Sequence, residues 1–147
     1  MTSESMVAHG PISSRGQFFV LRLLPGEDPV LKLSEWAVRE KISAASIVSA
    51  VGSFTVAHLR YAAKDTVAVI PGPLEVVSFS GTLESTGMHV HAVVSDGEGK
   101  TFGGHFVKGC IVRTTLELVL IELTDLTFTR EDDGSSGYSE LQVRRRN

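Results

Sequence analysis

The sequence has little of what would cross-link a chain or hold it in a membrane. It contains a single cysteine, Cys110, so no disulfide can form within the chain and nothing indicates an oxidising compartment. No run approaches the ~20 apolar residues of a membrane-spanning helix. Residues 1–16 are polar and lack the apolar core of a signal peptide. We therefore expect a protein of the cytosol or of a nucleus, with no membrane partner.

The sequence also lacks an excess of positive charge. It has 14 Lys and Arg against 17 Asp and Glu, which gives a formal net charge of -3. This is the wrong sign for a domain held to phosphate backbones by bulk charge. The basic run Arg144–Arg146 is typical of a solvated chain end, with a nuclear signal or a phosphate contact as alternatives.

What is present indicates one globular domain. A chain of 147 residues fits a single domain, and 42% of its residues are apolar. A chain of this size buries roughly 70% of the surface that its unfolded form exposes, so it needs no disulfide bonds to stabilise the fold. We divide it into a flexible arm over residues 1–15, a domain over residues 16–130 and a flexible tail over residues 131–147, where Asp, Gly and Ser accumulate.

Runs of β-branched and aromatic residues predict mostly strands. Asp28 as N-cap and Pro29 at the first helical position predict one helix, which should end near Lys41. Residues 43–59 suit a buried strand or a buried helix, and Val, Ile, Thr and Phe favour the strand. Pro71-Gly72-Pro73 is typical of a break between elements. The predicted strands are Gln17–Leu24, 46–59, Leu74–Leu83, Gly87–Ser95, Thr101–Lys108, Ile111–Leu123 and a short edge strand, Leu126–Arg130.

These elements predict an α+β fold. We expect a mostly antiparallel, curved β-sheet of about six to eight strands, with one or two helices packed on a face. The long apolar strand Ile111–Leu123 carries more hydrophobic surface than one sheet face needs, which suits a contact between subunits. A central strand of the core is the alternative.

The most informative stretch contains three histidines. His89 and His91 are two apart on one predicted strand, so their side chains leave the same face with α-carbons ~6.5–7 Å apart. In the turn Asp96–Lys100, we assign Gly99 to the left-handed residue of a three-residue loop. His91 then pairs with His105, and all three rings share one face. A slip of one residue would send His105 to the opposite face.

Three imidazoles on one face are typical of a metal site. They would leave a fourth position open to water, substrate or another ligand in zinc chemistry. Glu75, on the neighbouring strand, is our candidate for a carboxylate there or for a general base. The alternative interpretations are partly exposed histidines on a solvated sheet face, and a solvated carboxylate at Glu75.

These segments resemble the plants and prokaryotes conserved domain, the PPC domain, from about Gly16 to Arg130. The segment Gly72–Gly81 resembles the family's Gly-Arg-Phe-Glu-Ile-Leu-type strand; it departs at its second and third residues and keeps Glu75. The stretch from His89 to His105 resembles the family's His-x-His, glycine turn and Gly-Gly-His. Residues 51–53 and 59–60 also match the pattern.

The resemblance implies a homotrimer with sites near subunit boundaries, and zinc held by His89, His91 and His105. Plant members place the domain after an AT-hook, whose Arg-Gly-Arg core enters the minor groove. This chain has only Arg15-Gly16-Gln17, so we expect a stand-alone domain that does not bind DNA directly. The sequence thus favours a homotrimeric zinc-binding module with a protein partner and a DNA-associated or regulatory role. The alternative is a small metal-dependent hydrolase or lyase.

Overall fold

The computed structural model describes residues 10–147, which form eight strands and one helix. The α+β prediction, with a mostly antiparallel sheet and one helix, is confirmed. In chain order the elements are β1 (Gly16–Leu23), α1 (Pro29–Arg39), β2 (Ala45–Arg60), β3 (Val67–Glu84), β4 (Gly87–Ser95), β5 (Thr101–Phe106), β6 (Ile111–Leu123), β7 (Leu126–Asp132) and β8 (Ser139–Arg145).

Six antiparallel strands form the main sheet in the order β1-β6-β2-β3-β4-β5. Strand β5 also pairs with β2, so β2, β3, β4 and β5 close into a ring of four strands. Bulges between Phe54 and Val56 and between Val76 and Ser78 bend the long strands. The inner face of this curved sheet carries the apolar core, and its outer face around β4 and β5 carries the histidines.

The helix α1 begins as predicted. The Asp28 carboxylate accepts a hydrogen bond from the Val30 amide at 2.9 Å, and its second oxygen accepts one from Gly109. Leu33 and Trp36 are buried against the sheet. The helix ends at Arg39, slightly before the predicted end, and no helix among residues 10–147 is long and apolar enough to cross a membrane.

The predicted break at Pro71-Gly72-Pro73 is wrong. Strand β3 runs through it, with Val56 of β2 opposite Pro71. A Cβ on Gly72 would lie 2.6 Å from the carbonyl oxygens of Phe54 and Thr55. The two backbones therefore approach closely beside the β2 bulge, and glycine allows the strand to continue.

The C-terminal segment, which the sequence predicted to be a flexible tail, contains a strand. Strand β8 pairs with β7 in a second, two-stranded sheet, in which Phe128 lies opposite Val143. The residues rich in Asp, Gly and Ser form the loop between these strands. Arg144 forms a salt bridge with Glu131 at 3.0 Å, and Arg146 forms one with Glu122 at 3.3 Å. The sequence did not predict this strand because it is short and follows a run of loop-forming residues.

Arg15, which directly precedes β1, is hydrogen-bonded to Asp125 in the turn between β6 and β7. The predicted arm over residues 1–15 lies largely outside the described residues, but Arg15 binds Asp125 through its guanidinium at 2.7 Å and through its amide at 2.8 Å. These hydrogen bonds lower the pKa of Asp125 to about 2.

Cys110 is fully buried, as predicted, and burial raises the pKa of its thiol to about 12.

Candidate metal centre

The turn between β4 and β5 sets the register of the histidines. Gly99 has a φ of 81°, and its amide donates to the Asp96 carbonyl at 3.0 Å. The Asp96 carboxylate accepts hydrogen bonds from the amides of Glu98 and Lys100. Thr101 therefore lies opposite Ser95, as the three-residue loop predicted. The register of this hairpin is confirmed.

This register brings the three rings together. His91 lies opposite His105, and His89 is one pleat along the same face. The Nε2 atoms of His89 and His91 are 3.1 Å apart. Each ring offers one nitrogen, and the three nitrogens all lie within 4.8 Å of one another. The structure thus brings together all three histidines that the sequence singled out.

The nitrogen spacing fits a metal ion. Two nitrogens bound tetrahedrally to zinc at ~2.0–2.1 Å are about 3.4 Å apart. The His89–His91 pair is near that separation, and the His105 nitrogen lies within 4.8 Å of both. His89 and His91 are exposed and His105 is half-buried, so a bound ion would keep an open side.

The histidines line one wall of a cavity of about 570 Å³. The segment after β2, including Tyr61 and Lys64, forms a second wall. The start of β8 and the residue before it form a third wall, with Tyr138 and Glu140. This volume lies within the ~300–1,000 Å³ typical of small-molecule sites.

A row of side chains crosses the neighbouring strands at the site. Arg60 of β2 lies opposite His105, which lies opposite His91, and His91 lies opposite Ser80 of β3. Opposite residues in antiparallel strands share a face, so the Arg60 guanidinium stands beside the histidines. Gly104 permits this close pairing, because a Cβ there would lie 2.8 Å from the Arg60 carbonyl oxygen.

The surroundings favour the neutral form of two of the imidazoles. Partial desolvation by the surrounding atoms lowers the pKa of His89, although its side chain is exposed, and the charges of His91 and Arg130 lower it further. Burial likewise lowers the pKa of His105, with Arg60 as the next cause. Because metals bind neutral imidazole, these shifts favour metal binding over protonation.

A buried ion pair attaches the second sheet to the site. Arg130 of β7 contacts both oxygens of Glu84, at 3.0 and 3.2 Å, and donates to Thr82, which lies opposite His89. Only 3% of the Glu84 side chain is exposed. Burial raises the pKa of Glu84, and Arg130 opposes the rise. Arg130 thereby joins β7 to the edge of the histidine cluster.

The structure does not bring Glu75 to the histidines. Glu75 is exposed, lies opposite Ser95 at the far end of the β3–β4 pairing, and is not among the residues that line the cavity. The prediction of Glu75 depended on strand adjacency alone, and adjacency does not determine the position of a residue along the strand. The carboxylate that lines the cavity is Glu140. Sequence reasoning missed Glu140 because it assigned residues 131–147 to a tail, although the alternation of β8 could have revealed it.

Fold and site together define a small α+β domain with a solvent-open cluster of three histidines. The chain belongs to the Plants and Prokaryotes Conserved (PCC) domain family, whose sequence model matches residues 11–124. This is the family that the motifs indicated.

Several known proteins are similar to this chain. The chain is 38% identical over 125 residues to the bifunctional protein GlmU of Synechococcus sp. strain JA-3-3Ab, covering 85% of this chain but 20% of that protein. It thus spans about a fifth of that relative. A hypothetical protein from Salmonella enterica is 44% identical, with a TM-score of 0.91, covering 92% of this chain and 99% of that one. A metal-containing protein from Archaeoglobus fulgidus is 26% identical, with a TM-score of 0.72, covering 93% and 95%.

Proposed function

We propose that the protein is a homotrimeric zinc-binding module, in which His89, His91 and His105 hold one zinc ion. The observation that carries this proposal is the convergence of three imidazole nitrogens within 4.8 Å on one β-hairpin. The Archaeoglobus fulgidus relative, described as metal-containing, supports a metal in this fold. Zinc suits three nitrogen ligands with an open fourth position.

The arrangement is a binding site more than a catalytic one. Bound zinc would act as a Lewis acid toward whatever reaches its open position. The carboxylate proposed as a base, Glu75, lies elsewhere, and the Glu140 carboxylate in the cavity accepts a hydrogen bond from Ser136. We therefore favour a module that holds a metal and offers a surface to a protein partner.

Direct DNA binding has little support in the charges of the domain. The net charge is negative, and Arg144 and Arg146 of the basic run each pair with a carboxylate. A regulatory role near DNA would therefore pass through a partner protein, for which the domain supplies the contact.

An exposed apolar face formed by β1 and β6 supports the proposal that the protein is a trimer. Phe18 lies opposite Ile121 and Val20 opposite Val119, and Phe18 and Val20 are 63% and 79% exposed. A paired apolar face of this kind is costly in water and suits contact with further copies of the chain.

A charge at the centre of this face tests the trimer. Light scattering should give three times the 15.8 kDa chain mass for the wild type, and the chain mass for Val20→Lys. The matched control is Val38→Lys on α1, which is 61% exposed and lies away from this face. A wild-type monomer, or a Val20→Lys trimer, would exclude this interface.

Metal analysis tests the zinc site. Zinc-loaded, desalted protein should contain one zinc per chain, and His105→Gln should lose most of it because two imidazoles bind zinc weakly. His58→Gln is the control, since His58 does not line the cavity. Equal zinc content in wild type and His105→Gln would refute the site.

A further inference from the structure

Arg60 is a half-buried cation beside the histidines. It lies opposite His105 across the β2–β5 pairing, and its guanidinium carbon lies 5.9 Å from the centre of the Tyr138 ring. Among the carboxylates of residues 10–147, none lies within salt-bridge distance of Arg60. The stacking on Tyr138 orients the guanidinium, but it does not neutralise the charge.

Cations outnumber carboxylates among the charged groups that line the cavity. Lys64 adds a second cation that forms no salt bridge within the described part of the chain. Arg130 is already paired with the buried Glu84. The one carboxylate on the wall, Glu140, offsets the charge of one of the two remaining cations. The cavity therefore presents a net positive wall next to the proposed metal.

The remaining walls are apolar or aromatic. Met88 and Ala62 line the cavity together with the rings of Tyr61 and Tyr138. Such walls pack against the hydrocarbon body of a ligand and are poor partners for a bare, strongly hydrated ion.

We propose that the cavity binds a small organic carboxylate, an inference that rests on the zinc site proposed above. The carboxylate group would meet the open side of the metal and accept hydrogen bonds from Arg60. The planar guanidinium matches the two oxygens of a carboxylate. The apolar body of the ligand would pack between Met88 and Tyr138. Inorganic phosphate shares the negative charge but lacks a body to fill this space.

Calorimetric titration of zinc-loaded protein tests this proposal with three probes. Benzoate should bind with measurable heat, whereas benzamide, which has the same ring without the charge, should not. Inorganic phosphate should bind more weakly than benzoate because it makes no apolar contacts. Tighter binding of phosphate than of benzoate would overturn the organic carboxylate in favour of a phosphate ligand.

Variants of Arg60 separate the anion site from the metal site. Arg60→Gln should weaken benzoate binding about tenfold or more, the usual loss for a charge-assisted hydrogen bond. Arg60→Lys should recover part of the affinity. The matched control, Arg39→Gln on the exposed surface of α1, should bind benzoate as the wild type does.

The zinc content of each titrated sample distinguishes the two proposals. One zinc per chain in both wild type and Arg60→Gln, with benzoate binding lost in the variant, supports the anion site. One zinc per chain with no benzoate binding, or with equal binding in Arg60→Gln, overturns the anion site alone. Absence of zinc from the wild type overturns both proposals.

Discussion

His91 and His105 lie directly opposite each other on β4 and β5, with their ring centres 5.7 Å apart. The two residues belong to one hairpin, and the turn at Asp96–Lys100 between them sets the register in which they pair. Because side chains alternate across a strand, this pairing places His89 on the same face. The candidate metal site is therefore a consequence of one turn geometry.

Replacing the left-handed glycine of this turn should destabilise the hairpin. Gly99 has a φ of 81°, which costs roughly 1–2 kcal/mol for a residue with a Cβ. Gly99→Ala should therefore lower the free energy of unfolding in urea by about that amount. Gly99→Asn should lose less, because asparagine tolerates the left-handed region.

Gly97 in the same turn is the matched control. Its φ lies outside the left-handed region, and a Cβ there would meet no heavy atom within 4 Å. Gly97→Ala should leave the urea midpoint nearly unchanged. Equal losses for the two alanine variants would contradict the role of Gly99 in fixing the register.

Removing Arg130 should be costly because it leaves Glu84 buried without its partner. The two side chains are 16% and 3% exposed, and breaking such a buried pair costs about 3 kcal/mol or more. Arg130→Gln should show this loss in urea unfolding. Arg144→Gln, which breaks a more exposed pair on the same hairpin, should cost clearly less than Arg130→Gln. A small loss for Arg130→Gln would mean that the ion pair does not attach β7 to the main sheet.

The stability of chelator-treated protein should fall with acidification below pH 6.5. Burial holds the pKa values of His89 and His105 below 6.5 in the folded chain, whereas the unfolded chain takes up protons at the ordinary value. The unfolded state therefore binds more protons in this window, so stability decreases as pH falls through it and is constant above it.

The double variant His89→Gln/His105→Gln should flatten this dependence. Thermal midpoints of the two chelator-treated proteins, measured across neutral and mildly acidic pH, give the comparison. A difference between the midpoints that does not change with pH would contradict the lowered pKa values.

Local signals in the sequence predicted the hairpin and its histidines. The preference of Asp96 for turns and of Gly99 for the left-handed region are properties of single residue types, so the register could be predicted from the residues of the turn. The start of α1 followed in the same way from Asp28 and Pro29. The turn and the start of the helix depend on residues that are adjacent in the chain, so both can be predicted from the sequence.

Features that depend on distant contacts could not be predicted. Strand β3 passes through Gly72 because β2 bulges beside it, and β8 is ordered because Val143 packs opposite Phe128. The choice of Glu75 over Glu140 failed for the same reason. Which carboxylate reaches the cavity depends on how the β7–β8 hairpin packs against the main sheet. No local sequence pattern predicts that packing.

X-ray absorption at the zinc edge tests the coordination of one ion by three imidazoles most directly. The wild-type spectrum should fit three imidazole nitrogens at ~2.0–2.1 Å and one further light atom. His105→Gln should lose one imidazole from any zinc that remains. A sulfur neighbour, or fewer than three imidazoles in the wild type, would contradict the proposed site.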